Sequence, residues 1–219
     1  MIKYIILCDK MNYALLVKKL NTEDKRYISS ELIKKYSNSL DIPYFDAIVY
    51  LTRNKYLYTI LRGIFYNPTI EERKLKKINV NHMEAISEAL FKKGVTNWYF
   101  GLESALKMNN MTHEFYTLDT IINDKIFRKN PINVLGNKIR FIKVKSDVFG
   151  FGIIDSKKYK YSDKEKTVLD LIYLGKYNGK TDEEIRDRIS QFIPFCSHVK
   201  LLDYSKKYNK SVERFIEEL

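Results

Sequence analysis

The chain has 219 residues, with 39 Lys and Arg against 27 Asp and Glu, a formal net charge of +12 and a pI near 9.4. Its 45% hydrophobic and 30% charged residues are the makeup of a soluble globular protein with a real core, long enough for two small domains. No apolar run approaches the roughly 20 residues of a membrane span, since Ile5-Ile6-Leu7-Cys8 is broken at once by Asp9-Lys10, and no basic leader with a small-residue cleavage site follows Met1. A cytoplasmic protein is expected, and the charge favours a polyanion partner over a membrane surface.

Lys3 to Leu20, with Ile5, Ile6, Leu7, Met11, Ala14, Leu15 and Val17 apolar, predicts an amphipathic first helix that either closes a core or pairs two copies of the protein. Ser29 is a good N-cap with Glu31 in the turn that follows, so a second helix starts near Ser30. Asp41 is expected to cap a third helix, with Pro43 in its first turn and an end near Asn54. On a 3.6 period, Ile42, Phe45, Ile48, Val49 and Thr52 gather on one face. Pro43, Ala47, Tyr50 and Asn54 point the other way, with Tyr44 at the boundary. Tyr56 to Ile60 reads as a strand, Arg62-Gly63 as a tight turn and Ile64 to Tyr66 as the return strand.

Two short helices followed by a hairpin predict a winged helix-turn-helix over residues 1–75, its third helix presenting an outer face to a major groove. Base contacts are expected from Tyr44, Ala47, Tyr50 and Asn54, and backbone contacts from Arg53, Lys55, Tyr58 and Arg62. The amide of Ser30 or Glu31, at a helix start, is also offered to phosphate. Residues 1–77 carry 15 Lys and Arg against 8 Asp and Glu, and the rest 24 against 19, so positive charge is denser where phosphate is to be met. The expected partner is double-stranded DNA, bound as a monomer or weak homodimer; a palindromic operator implies two copies. Two other readings use the same features: a protein-interaction module for an acidic partner, and an RNA-binding protein gripping its ligand with the aromatic second half.

Thr69 to Asn79 is charged and lacks an apolar stripe, which puts a domain boundary there and a second domain over residues 76–219. His82 to Lys93 predicts a helix ended by Gly94, and Gly101 to Met108 a short one. Phe115 to Ile121 is β-like, Ile132 to Leu135 and Lys138 to Lys145 form a hairpin turning at Gly136-Asn137, and Phe151 to Ile154 is a further strand. Ser162-Asp163-Lys164-Glu165 has the form of a capping box opening a helix that closes near Gly175. Thr181-Asp182-Glu183-Glu184 repeats the device for a helix ending about Phe192, and Phe195 to Tyr208 and Val212 to Leu219 complete a helical end. The expected class is α+β: a winged helix-turn-helix, then a mixed α/β domain with a small antiparallel sheet and C-terminal helices.

Chemistry-bearing patterns are few. Cys8 and Cys196 are far apart and read as small buried apolar residues, and His82, His113 and His198 share no ligand spacing, so no metal and no cofactor are expected. Asp163 and Glu165 suit a helix start, and Asp170 lies one turn beyond Lys166, its expected ion-pair partner. Asp119, Asp147 and Asp155 have no Glu-x-Lys partner, Ser104 lacks the flanking glycines of a nucleophile elbow, and Trp98 is expected in the core. An enzyme is not expected.

Two blocks, Trp98-Tyr99-Phe100-Gly101-Leu102-Glu103-Ser104-Ala105-Leu106 and Ser162-Asp163-Lys164-Glu165-Lys166-Thr167-Val168-Leu169-Asp170-Leu171, resemble the best-defined blocks of the AbiEi-type antitoxin and transcriptional-regulator family. Arg62-Gly63-Ile64-Phe65-Tyr66 is similar to the end of that family's winged helix-turn-helix, so the resemblance covers about Tyr27 to Asn178 in the same order. The family's first block usually continues into His-Gly where this chain has Asn109-Asn110, and its usual Arg in the second block is Lys166 here. The resemblance implies a repressor that binds an operator, often with inverted repeats, and silences its own two-gene operon. It also implies the antitoxin of a type IV toxin-antitoxin, or abortive-infection, pair, countering a nucleotidyltransferase-type toxin without a stable complex.

Overall fold

The computed structural model describes the backbone of residues 2–219 and the side chains of residues 11–219. Helices and strands are mixed, in two compact units, Met1–Gly94 and Val95–Leu219. Among the described residues, no helix is long and apolar enough to cross a membrane.

The first unit begins with α1, Ile2–Thr22. The side chains of Ile5, Ile6, Leu7 and Cys8 lie outside the described residues. Farther along, the packed positions are Tyr13, Leu16, Val17 and Leu20, spaced i, i+3, i+4, i+7, while Met11, Ala14 and Leu15 of the expected stripe are exposed. Strand β1, Tyr27–Ser29, follows; three residues are too few for a periodic signal. Helix α2, Ser30–Asn38, starts after Ser29 as expected, although the Ser29 hydroxyl makes no capping bond to the backbone. Helix α3 is Tyr44–Arg53, and its N-cap is Pro43 rather than Asp41, which sits in a turn at φ 53°.

Strands β2, Tyr58–Leu61, and β3, Ile64–Tyr66, complete an antiparallel sheet ordered β1-β3-β2, with Ile28 opposite Phe65 and Tyr58 opposite Tyr66. Ile28, Ile33, Ile42, Ala47, Leu51, Leu57 and Phe65 form the core with Leu16 and Leu20. Fully burying one such Leu or Ile is worth about 1.5–3 kcal/mol.

The segment expected to be a linker is folded. Helix α4, Ile70–Leu75, opens on a reciprocal capping box between Thr69 and Glu72. Glu72 is 2% exposed and accepts from the Thr69 and Asn79 amides, both at 2.8 Å, and from the Tyr66 hydroxyl at 2.9 Å. Charges that suggested a wet linker therefore point partly inward. Helix α5, His82–Lys92, packs on β2 and β3 and carries the first unit on to Gly94, past the boundary expected between Thr69 and Asn79.

The second unit holds β4 (Trp98–Phe100), α6 (Glu103–Met108), β5 (Leu118–Asn123), β6 (Ile132–Val134), β7 (Asn137–Lys143), β8 (Ile153–Asp155) and β9 (Lys160–Ser162). Their six strands run in the order β6-β7-β5-β4-β9-β8, with β5–β7 and β4–β9 parallel and the other pairs antiparallel. The sheet is thus mixed and larger than the small antiparallel one expected. The β6–β7 turn is Leu135-Gly136, one residue before the expected Gly136-Asn137, with both residues at positive φ.

Four helices follow: α7 (Lys164–Tyr177), α8 (Asp182–Ser190), α9 (His198–Ser205) and α10 (Lys210–Glu217). The α7 cap is Asp163, which accepts from the Lys166 amide at 2.9 Å; Ser162 instead faces the Thr167 hydroxyl at 2.7 Å. Helix α7 also runs through Gly175, where an added Cβ would meet Ile185 at 3.0 Å, so that glycine permits close packing of α8 rather than ending a helix. The Thr181–Glu184 capping box is as expected.

Candidate nucleic-acid interface

The Arg62-Gly63 turn joins β2 to β3. Gly63 has φ +82°, and a Cβ there would lie 2.6 Å from the Ser30 hydroxyl, so both backbone conformation and space require glycine. The Gly63 carbonyl accepts from the Ser30 amide at 2.9 Å and from the Ser30 hydroxyl at 3.2 Å. This fastens the hairpin tip to the first turn of α2. It also occupies the Ser30 amide expected for phosphate, which is a correction: the half-buried Ser30 holds the hairpin instead of a ligand. Arg62 stands exposed at the tip. Lys93, just beyond α5, brings its ammonium within 3.6 Å of the position a Gly63 Cβ would take. Glu31 is the acid of this corner; the Ser29 hydroxyl, above all, holds its carboxyl below the ordinary range, and Lys34 and Lys93 add to that.

Helix α3 buries a different face from the one expected. Ala47 and Leu51 are fully buried, Tyr44 and Ile48 pack beside them, and Phe45 is 74% and Val49 42% exposed. The buried stripe is displaced by about one residue step around the helix. Ala47 therefore belongs to the core and is withdrawn from the base-reading set. The reason is that α3 carries apolar residues on every side, so periodicity alone does not choose the packed one.

Tyr50 is half-buried, with the Tyr13 ring 4.4 Å and the Tyr56 ring 5.9 Å away, and burial first, then Tyr56, pushes its phenol pKa up. Tyr44 is half-buried beneath the Lys34 ammonium, 5.1 Å from its ring. Tyr58 lies half-buried on β2. Arg53, Asn54 and Lys55 are all exposed at the end of α3, where the Asn54 side-chain amide donates to the Tyr50 carbonyl at 2.8 Å and Lys55 turns the chain at φ 58°. A shallow cleft of about 590 Å³ between α1 and α3 gathers Tyr13, Asp46, Val49, Tyr50, Arg53 and Asn54.

Of the nine expected residues, Arg53, Asn54, Lys55 and Arg62 are freely exposed, Tyr44, Tyr50 and Tyr58 are half-covered, and Ser30 and Ala47 are engaged within the unit. Phe45, Val49 and Lys93 are exposed in this unit and lie outside the expected set. Nothing local marks the first two as outward. Lys93 falls in the expected second domain, whereas the first compact unit runs to Gly94.

In the second unit the carboxylates of Asp163, Glu165 and Asp170 are each held by protein donors. Asp163 and Glu165 share the Lys200 ammonium at 2.8 Å each, and Asp170 accepts from the Tyr99 and Tyr208 hydroxyls. Trp98 is buried in this unit.

No family model matches the chain, and no curated protein does. The fold is similar to that of the crystal structure of the RV2827C protein from Mycobacterium tuberculosis, with a TM-score of 0.56 over 95% of this chain and 75% of that one, at 9% identity.

Proposed function

We propose that the first unit is a winged helix-turn-helix and that the chain is a cytoplasmic, sequence-specific DNA-binding repressor. The observation that carries this reading is the order α1-β1-α2-α3-β2-β3 around a β1-β3-β2 sheet, with exposed Arg53, Asn54 and Lys55 ending α3 and exposed Arg62 at a hairpin tip pinned to α2. In this arrangement α3 enters the major groove, Phe45 and Val49 meet thymine methyl groups, Asn54 reads adenine, and Arg62 and Lys93 hold phosphate. The blocks shared with AbiEi-type antitoxins extend the proposal to a type IV toxin-antitoxin pair, in which this chain represses its own operon and counters a nucleotidyltransferase-type toxin.

Fluorescence anisotropy with the DNA upstream of the chain's own gene, titrated with salt, tests the first part. Binding that weakens log-linearly with salt is expected; no binding to that DNA even at low salt sinks the reading. A nucleotidyltransferase gene next door, whose toxicity this chain relieves, tests the second part.

One observation favours a second reading. Phe45 and Val49, 74% and 42% exposed on one face of α3, also suit a protein partner. Co-elution with the neighbouring gene's product, lost in Phe45→Ala and accompanied by no DNA binding, would select it.

A further inference from the structure

The loop beyond β5, the end of β7 with the residues that follow it, and the last turns of α7 surround a cleft of about 790 Å³. That volume lies in the usual range for small-molecule sites. Three kinds of group line it. Phe127 and Tyr177, 73% and 81% exposed, offer flat aromatic faces, with Tyr173 and Leu174 behind them. Asp124 lines it too, half-buried, its carboxylate accepting from the Asn97 side-chain amide at 2.8 Å. Lys143 and Lys145 bring two exposed ammonium groups.

Each group asks for a particular chemistry. Exposed aromatic faces bind planar rings by stacking. A half-buried carboxylate in the wall of such a cleft accepts from a ligand N–H. Paired lysines attract an anion such as phosphate. Leu174 and the rings supply the apolar surround that excludes water from the contact.

We propose that this cleft binds a nucleoside phosphate whose base carries an exocyclic amino group: the base stacks on Phe127 and Tyr177, its amine donates to Asp124, and its phosphate meets Lys143 and Lys145. The site uses no residue of the first unit, so it stands or falls apart from the duplex-DNA reading. A free nucleotide and a nucleotide within a single strand share this chemistry.

The test is calorimetric titration of the full chain with adenosine, cytidine and uridine monophosphates, and with short oligo-dA and oligo-dT. The amino-bearing nucleotides are expected to bind, with uridine monophosphate weaker by about tenfold or more because a carbonyl stands where cytidine carries its exocyclic amine, leaving only the ring N3–H to donate. Phe127→Ala and Tyr177→Ala, both at exposed positions, should each weaken binding by about 5- to 100-fold. Asp124→Asn, which can donate as well as accept, should narrow the gap between the bases. Lys143→Gln with Lys145→Gln should abolish the advantage of a nucleotide over its nucleoside. Oligo-dA binding well above the monophosphate identifies a strand as the source, and equal binding identifies the free nucleotide. No saturable binding at millimolar ligand overturns the proposal, as does binding indifferent to the base or unchanged in both aromatic variants.

Discussion

Ser30 and Gly63 are joined twice: the Ser30 amide and hydroxyl both donate to the Gly63 carbonyl, at 2.9 and 3.2 Å. They lie 33 residues apart in sequence, and their bonds set where the tip of the β2–β3 hairpin sits relative to α2 and so fix the position of Arg62. A hairpin of strands this short is marginal alone. Here its tip is held by a helix start whose free amides need acceptors, and one carbonyl serves both needs.

A double-mutant cycle measures that link. Gly63→Ala forces an L-residue to φ +82° and puts a Cβ against the Ser30 hydroxyl, for a loss of about 2 kcal/mol. Ser30→Ala loses one neutral hydrogen bond, about 1 kcal/mol, and keeps the amide bond. Because the clashing atom is the Ser30 hydroxyl itself, the double variant should lose about 1 kcal/mol less than the two singles together. Urea denaturation of the full chain reads all three values, and strict additivity would refute the geometry.

The hairpin, α5 and the Thr181 capping box were legible in the sequence because each is written in local chemistry: Gly63 at a turn, Gly94 after a helix, Thr181 three residues before Glu184. What was not legible depends on contacts distant in the chain. Ala47 and Phe45 are both apolar, and only the positions of α1 and the sheet decide that Ala47 goes inside. Glu72 looked like part of a wet linker until Tyr66 and Asn79 supplied its donors. The basic end of α3 and Arg62 were legible for the opposite reason, since charged residues stay exposed in most arrangements. The nucleotide cleft left no sequence mark because Asp124, Lys143 and Tyr177 meet only after the sheet and α7 are assembled.

If α3 reads DNA, its residues divide by effect. Arg62→Ala should weaken all sequences about equally and lower the salt slope by about one. Asn54→Ala and Phe45→Ala should instead lose about 1–3 kcal/mol on the operator only, narrowing the gap to random DNA. Anisotropy titrations on operator and scrambled duplexes at several salt concentrations separate the two behaviours. Arg62→Ala binding like the parent chain at low salt would remove the hairpin from the interface.

Glu72 gives the first unit an acid sensitivity. Burial, the largest influence, pushes its carboxyl pKa up, but the Asn79 and Thr69 amides, the Tyr66 hydroxyl and Arg26 together hold it below its ordinary value of 4.5. A carboxyl with a depressed folded pKa contributes stability that is present above the unfolded value and lost as pH falls through the folded one. Glu72→Gln should therefore cost about 2 kcal/mol at neutral pH. The difference between parent and variant should shrink steadily below about 4.5. Denaturation curves for both chains across that range check it, and a difference that grows in acid would reverse the sign and refute the assignment.

Lys166 and Asp170 set the sharpest stability test in the second unit. The Lys166 ammonium is wholly buried, 3.7 Å from the Asp170 carboxylate; it donates to the Val148 carbonyl at 2.6 Å and the Tyr208 hydroxyl at 3.1 Å, and lies 4.3 Å from the Phe151 ring centre. Asp170 in turn accepts from Tyr99 at 2.9 Å and Tyr208 at 2.6 Å. Burial pulls the amine pKa down and pushes the carboxyl pKa up, and the attraction between the two opposes both shifts. Two charges taken out of water give little net stability as a pair, yet either one left alone is costly. Lys166→Met and Asp170→Leu should thus each cost about 3–5 kcal/mol, while the double variant, apolar on both sides, should cost far less than their sum. If the double variant loses the full sum, the pair is not acting as a unit, and the tyrosines rather than the ion pair hold this part of the core.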